Sequence, residues 1–436
     1  MDEFIDTIRG EFPALEEKTF LDAACVSLAP RAAVSAVAGF LDEALWCRSR
    51  SSTMHHLAMD EGREAARPEA ARLIGAEADE IALVESTTQG LSIAARAIPM
   101  EPGDNLIVPD LEFLQVPLAW RQAPPDAAPE IRLVPNSNGE LHVNAFTALM
   151  DARTRAVVLS SVQWCNGYRT DLGALGRACH ERGILLVVDA IQQLGAIRLD
   201  VRETPVDLLA CGGHKWLNAP FGAGFLYIRR GIRQQLARPC SGYLAVMPPP
   251  AGWGAYFQTP SISPLQPVAF WPDARRFETG GTANYPGAIG LAASLRMIND
   301  LGPARIEAHV RALTDHLLRG LAALPVRVVT PPDPAHRSGI VTFSVGTNAA
   351  DNVALMEYLL DRRILVSVRY TSGVGGVRVS SHFFNSLSDL DRLLNAVDDF
   401  TRQVAATGRA GTPSQAEPRA EVGTREGSAA RTPATG

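Results

Sequence analysis

The chain has 436 residues, of which 46% are hydrophobic and 20% charged, with a formal net charge of −6; this suffices for a large α/β domain plus a smaller one and excludes a disordered or fibrous protein. The acidic balance, with arginines scattered along the chain, argues against nucleic-acid binding. No apolar run approaches membrane-spanning length and the start, Met1-Asp-Glu-Phe, is acidic where a secretory signal is basic and then apolar, so a soluble cytoplasmic protein without membrane contact is expected.

In chain order, short apolar runs recur at 81–84, 105–108, 131–134, 156–159, 184–188, 206–210 and 224–228. Several are apolar enough to be buried on both faces, and helix-length connections separate them. This predicts an α/β fold with a mainly parallel seven-stranded sheet covered by helices. In such sheets the ligand crevice lies beyond the carboxyl ends of the strands, so chemistry is expected in the residues just after each run. Residues 243–271, rich in Pro, Gly and aromatics, read as a long excursion over the active-site mouth or as an interface loop.

After about Leu291 the pattern becomes one long helix, then strands at 326–329, 339–345, 364–368 and 377–380, then an amphipathic helix over 387–404. This suits a small α+β C-terminal domain. From about Ala405 large apolar residues almost vanish, predicting a disordered tail over 405–436. The expected division is therefore an N-terminal segment 1–20 packing with the small domain, a large domain 21–290, a small domain 291–404 and the tail. Six cysteines, Cys25, Cys47, Cys165, Cys179, Cys211 and Cys240, fall at irregular spacings without a CxxC pair. Neither a metal site nor a disulfide framework is indicated.

Only two of the 41 basic residues are lysines, Lys18 and Lys215. Arginine replaces lysine in most surface roles, but its guanidinium keeps its proton and forms no Schiff base. Scarcity alone also fits a genome that favours arginine codons, so the surroundings of Lys215 decide. The 184–188 run ends at Asp189, and the 206–210 run leads into Gly212-Gly213-His214-Lys215. Both ends belong at the carboxyl edge of the sheet, where an amine and a carboxylate can face one ligand. Pyridoxal phosphate needs that pair: a lysine to hold its aldehyde and a carboxylate to keep its ring nitrogen protonated. The plainer alternative makes Asp189 a helix N-cap.

Asp189-Ala-Ile-Gln192 followed by Gly213-His214-Lys215 resembles the signature of the class-V aminotransferases, fold-type I pyridoxal-phosphate enzymes that include cysteine desulfurases, isopenicillin N epimerase-like proteins, kynureninases and aminotransferases. Phe20-Leu-Asp-Ala-Ala, Ser86-Thr-Thr-Gln-Gly90, Arg276-Phe-Glu-Thr-Gly-Gly-Thr282 and Arg378-Val-Ser-Ser-His-Phe-Phe-Asn385 resemble further family blocks in the family's order, so the likeness covers residues from about 15 to 404. It implies the fold-type I architecture, a pyridoxal 5′-phosphate cofactor and an amino-acid substrate. Lys215, His214 and Asp189 become the implied catalytic residues, with Thr87, Thr88, Phe113 and Gln192 also at the cofactor. Ser86 to Gly90 opens a helix whose N-terminus can cradle a phosphate, or be capped and nothing more. Phe113 takes the place where relatives put an aromatic or histidine on the cofactor ring, or is an ordinary core phenylalanine, and Gln192 that of the glutamine on its ring oxygen. Arg378 resembles the clamp on the substrate's α-carboxylate, with Arg369 assisting or in an ordinary ion pair. Thr282 resembles the threonine that reaches the phosphate of a neighbouring subunit, implying a homodimer with composite sites.

Two departures carry information. Many relatives have a serine on the phosphate where this chain has Gly212. No cysteine follows Cys240, whereas cysteine desulfurases need a nucleophilic cysteine on a small-domain loop before the arginine matching Arg378. Persulfide-forming desulfuration is therefore disfavoured. The first expectation is a carbon–sulfur lyase acting by β-elimination on a cysteine S-conjugate. Transamination is the alternative, racemisation and decarboxylative deamination stay open, and a non-catalytic binding subunit is the reading of another class. Gln163, Trp164 and Asn166 are expected near the site without assigned roles, and Tyr370 and His55 are further unranked candidates.

Overall fold

The computed structural model describes residues 8–121, 129–239 and 242–407. After β1 (Thr19–Phe20), the central sheet comprises β2 (Ile81–Val84), β3 (Asn105–Pro109), β4 (Glu130–Val134), β5 (Thr154–Ser160), β6 (Leu185–Asp189), β7 (Leu208–Gly212) and β8 (Gly224–Ile228). Their order is β2-β8-β7-β6-β5-β3-β4. The pairs β3–β4, β3–β5, β5–β6 and β6–β7 are parallel, and β8 alone runs antiparallel to both its neighbours. The expected α/β architecture with a mainly parallel seven-stranded sheet is present. Most of its strands are buried throughout, as continuous apolar runs require when helices cover both faces. Two apolar clusters fill those faces, one holding Ile107, Leu186 and Phe225, the other Val108, Val187 and Leu226. The alternation along each strand separates them.

The C-terminal part forms β9 (Arg327–Val328), β10 (Ile340–Ser344), β11 (Ile364–Leu365), β12 (Ser367–Thr371) and β13 (Val374–Ser380). A four-stranded antiparallel sheet has the order β12-β13-β10-β9, and β1 pairs in parallel with β11. The single strand expected at 364–368 is two short ones, because β11 pairs with β1 while β12 pairs with β13. The long helix expected after Leu291 is also two, Tyr285–Leu301 and Pro303–Leu321. Gly302 breaks them at φ 88°, and Pro303 lacks the N–H a continuing helix needs while disfavouring helical geometry just before it. The division expected at 290/291 falls inside the first of these helices, which packs on the helices Arg31–Trp46 and Ala66–Ile74. The final helix runs Leu387–Thr407; the tail expected to be disordered lies outside the described residues beyond that point, as does Cys240. Among the described residues no helix is long and apolar enough to cross a membrane.

Candidate active site

The carboxyl edge of the central sheet opens into a cavity of about 370 Å³. Lys215, in the loop between β7 and β8, and Asp189, the last residue of β6, both line it. Burial lowers the Lys215 amine from 10.5 to about 8, with Asp189 pulling it up and Arg378 pushing it down. Burial raises the Asp189 carboxyl from 3.8 to about 6, against the Ile191 N–H that donates to Oδ1 at 2.9 Å and the charge of Lys215. A turn rather than a helix follows Asp189, so the hydrogen bond to Ile191 is an Asx-type turn contact. Both groups are poised to exchange protons near neutrality. The His214 ring stacks on Phe221 at 4.9 Å, and burial and Lys215 hold it down at about 4, so it is neutral.

The helix Thr87–Ala97 points its N-terminus into the same cavity. The Ser86 hydroxyl accepts from Gln89 N–H at 3.1 Å, and Ser86 O accepts from Gly90 N–H. Ser86 is thus a helix cap, and the N–H groups of Thr87 and Thr88 keep no protein acceptor among the described residues. Thr87 Oγ1 accepts from Gly212 N–H at 2.8 Å. A Cβ at 212 would sit 3.1 Å from that oxygen, so the serine seen in relatives would crowd the Thr87 hydroxyl. Two free N–H groups, the exposed Thr88 and the positive helix end make an anion site. Gln192 is more constrained than expected: its Nε2 donates to Ala24 O at 3.1 Å and its Oε1 accepts from Trp216 Nε1 at 2.9 Å. One amide N–H remains for a ligand.

Opposite the lysine stand Arg378 on β13 and Arg369 on β12. The register Ser367↔Arg378 and Arg369↔Gly376 puts both guanidinium groups on one sheet face. Arg378 is 1% exposed. It donates to Asp22 Oδ1 at 3.1 Å and Trp164 O at 3.0 Å, while its Nε has no acceptor among the described residues. Arg369 donates to Val368 O and to Cys25 Sγ. Between these arginines the chain reverses at Ser372-Gly373, with φ of 45° and 76°. Positive φ at both residues between paired Thr371 and Val374 defines a two-residue hairpin. None of residues 370–377 lines the cavity, and Ser372 Oγ donates instead to Asp110 O at 2.7 Å.

Phe113 and Trp164 line the cavity as an edge-to-face pair 5.4 Å apart. Gln163 and Asn166 do not line it. Gln163 Nε2 donates to Glu112 at 2.8 Å, and Asn166 is bound to Gly139 O and Tyr168 N–H. Tyr370 accepts from Asn352, and His55 belongs to a separate groove. Thr282 is exposed outside the cavity, and nothing from 243–271 lines it. The sequence reading overlooked three residues. Asp22 holds Arg378 and accepts from Ser367 Oγ at 2.9 Å. Cys25 lines the cavity. Glu112 is buried beneath the cavity-lining Ser160, which donates to it through N–H and Oγ, and burial lifts its carboxyl to about 7. Asp22 and Cys25 flank the Ala23-Ala24 pair already noted near the N-terminus, which was the available signal; Glu112 stood unmarked beside Phe113.

This arrangement is that of a pyridoxal-phosphate enzyme, and the residues fit the cofactor: an amine without a hydrogen bond among the described residues, a buried carboxylate beside it, and a helix N-terminus with spare donors. The chain belongs to the class-V aminotransferase family, whose model matches residues 19–393. It is a pyridoxal-phosphate-dependent enzyme of the fold-type I class, and a non-catalytic role is set aside. Isopenicillin N epimerase of Streptomyces clavuligerus is 31% identical over 350 residues, 77% of this chain and 84% of that protein. A cysteine desulfurase of Cronobacter sakazakii is 30% identical over 362 residues, 80% of this chain and 84% of that protein. The apo structure of a cysteine desulfurase from Thermococcus onnurineus NA1 has a TM-score of 0.78 at 25% identity, covering 91% of this chain and 98% of that one.

Proposed function

We propose that the enzyme is a carbon–sulfur lyase that cleaves a cysteine S-conjugate by β-elimination, without a persulfide on the protein's small-domain hairpin. The observation that carries this reading is the two-residue turn Ser372-Gly373 between Arg369 and Arg378, where a desulfurase needs a cysteine-bearing loop. Bound pyridoxal phosphate supplies an electrophilic aldehyde and an electron-withdrawing ring. The protein's own groups do the rest. Asp189, buried and facing Lys215, holds the proton of the ring nitrogen, and Thr88 with the free N–H groups of the helix end receives the phosphate. Arg378, held by Asp22 and Trp164 O, would take the substrate's α-carboxylate and so set the orientation of the bonds at its α-carbon. The Lys215 amine, lowered to about 8, removes the α-proton, and the β-sulfur departs as thiol.

The exposed apolar residues Val34, Leu41, Leu45 and Trp46 on the helix Arg31–Trp46 support a homodimer, in which exposed Thr282 reaches a partner's phosphate. The five described cysteines are unpaired, which supports a reducing, cytoplasmic setting. The Gly302-Pro303 break supports a division between large and small domains there. The test incubates cofactor-loaded enzyme with amino acids and cysteine S-conjugates and identifies products by mass spectrometry. A keto acid, ammonia and free thiol, with the cofactor still an aldehyde, establish β-elimination. Stoichiometric conversion of the cofactor to its amine, reversed by a keto acid, establishes an aminotransferase instead.

A further inference from the structure

Cys25 sits in the carboxylate-binding corner of the cavity, on a segment held from several sides. Cys25 N–H donates to Asp22 O at 3.0 Å, Ala24 N–H to Ser380 Oγ at 3.1 Å, and Ala24 O accepts from Gln192. The thiol is half-buried, lines the cavity and accepts from Arg369 Nη2 at 3.4 Å. The other described thiols differ. Cys165, Cys179 and Cys211 are buried, and Cys47 is exposed at the end of the helix Arg31–Trp46, outside the cavity. A second observation concerns charge. Among the described residues no carboxylate lies within ion-pair distance of Arg369, and the buried Arg378 has Asp22 as its ion-pair partner while its Nε finds no acceptor. Two guanidinium groups against one carboxylate call for an anion beside the sulfur.

We infer that Cys25 is a covalent modification site for small disulfides that carry a carboxylate. The inference rests on the proposed reading of Arg378 and Arg369 as carboxylate-binding residues. In the exchange the Cys25 thiol gives its proton to water, and its sulfur attacks one sulfur of the disulfide. The S–S bond breaks, and the departing sulfur leaves as a thiolate that takes up a proton. Cys25 is oxidised to a mixed disulfide and the small disulfide is reduced by the same electron pair. Arg369 places positive charge where the exchange gathers negative charge, and the retained half keeps its carboxylate on the arginines. The adduct occupies the corner that a substrate carboxylate needs, so it closes the enzyme until a thiol reductant removes it.

The test uses 2,2′-dithiodiacetate against the neutral bis(2-hydroxyethyl) disulfide; neither has an amine, so neither is a substrate. Holoenzyme is treated with each, and labelled peptides are mapped by mass spectrometry, with rates taken relative to each disulfide's reaction with free cysteine. The charged reagent is expected to label Cys25 at least roughly tenfold faster than the neutral one on that scale, as a charge-assisted contact allows. Excess acetate slows it, Cys25→Ser abolishes the adduct, Arg369→Gln removes the preference, and dithiothreitol restores activity. Labelling of Cys47 ahead of Cys25, or equal relative rates with no protection by acetate, overturns the inference. The acetate measurement needs no variant, so a misfolded Arg369→Gln leaves the question decidable. Directed labelling without turnover of S-conjugates refutes the lyase reading alone; turnover without directed labelling refutes this one alone.

Discussion

Asp189→Asn should stabilise the cofactor-free protein while abolishing its use of the cofactor. Burial raises the Asp189 carboxyl from 3.8 to about 6, so the folded chain holds this proton more tightly than the unfolded one does. The linked stability is fully present below about pH 4 and is lost as pH rises through about 6, by about 3 kcal/mol at roughly 1.4 kcal/mol per pH unit. Asparagine keeps the shape and the acceptor for Ile191 N–H but carries no charge. The variant's advantage should therefore be near zero at about pH 4, grow between 4 and 6, and level off near 3 kcal/mol by pH 7.5. The assay is thermal or urea unfolding of both cofactor-free proteins across that range, with cofactor retention measured alongside. A variant less stable than wild type at pH 7.5, or a difference that does not change with pH, refutes the argument that this carboxylate is strained by burial for the sake of a cationic ligand.

Other expectations are equally direct. Capture of pyridoxal phosphate by the cofactor-free protein requires the neutral amine of Lys215, so its rate should rise with pH and level off above about 8, the value to which burial lowers that group; a rise centred near the ordinary lysine range would show the amine to be solvated. Arg378→Gln removes one partner of a buried ion pair and the proposed carboxylate clamp, which should cost about 3 kcal/mol, or roughly 10²-fold in kcat/KM. Steady-state kinetics with an unchanged kcat/KM would place the carboxylate elsewhere. Thr87→Val strips the acceptor from the buried Gly212 N–H and should destabilise even the cofactor-free protein by about 1–3 kcal/mol in denaturant melts. Should only cofactor affinity fall, the hydroxyl serves the phosphate and not the backbone.

The seven sheet strands, the placement of Asp189 at the end of one and Lys215 just after another, and the missing cysteine before Arg378 were all legible in the chain, because alternation, apolar runs and residue identity are local properties. Lys215 stood out since arginine had replaced lysine everywhere else but at Lys18. The Gly302-Pro303 break was written in the sequence too, but the apolar period runs on through both helices and hid it. What the tertiary structure alone decided are the contacts between distant segments. Asp22 meets Arg378 across 356 positions and Cys25 meets Arg369 across 344, because β1 pairs with β11 and carries the N-terminal segment to the cavity wall. Gln192 spends most of its amide on Ala24 and Trp216, and Gln163 turns to a buried glutamate. No spacing rule encodes such meetings: a side chain's partners depend on which elements the fold brings alongside it, and burial, which sets the protonation of Asp189, Glu112 and Lys215, exists only once the whole chain has packed.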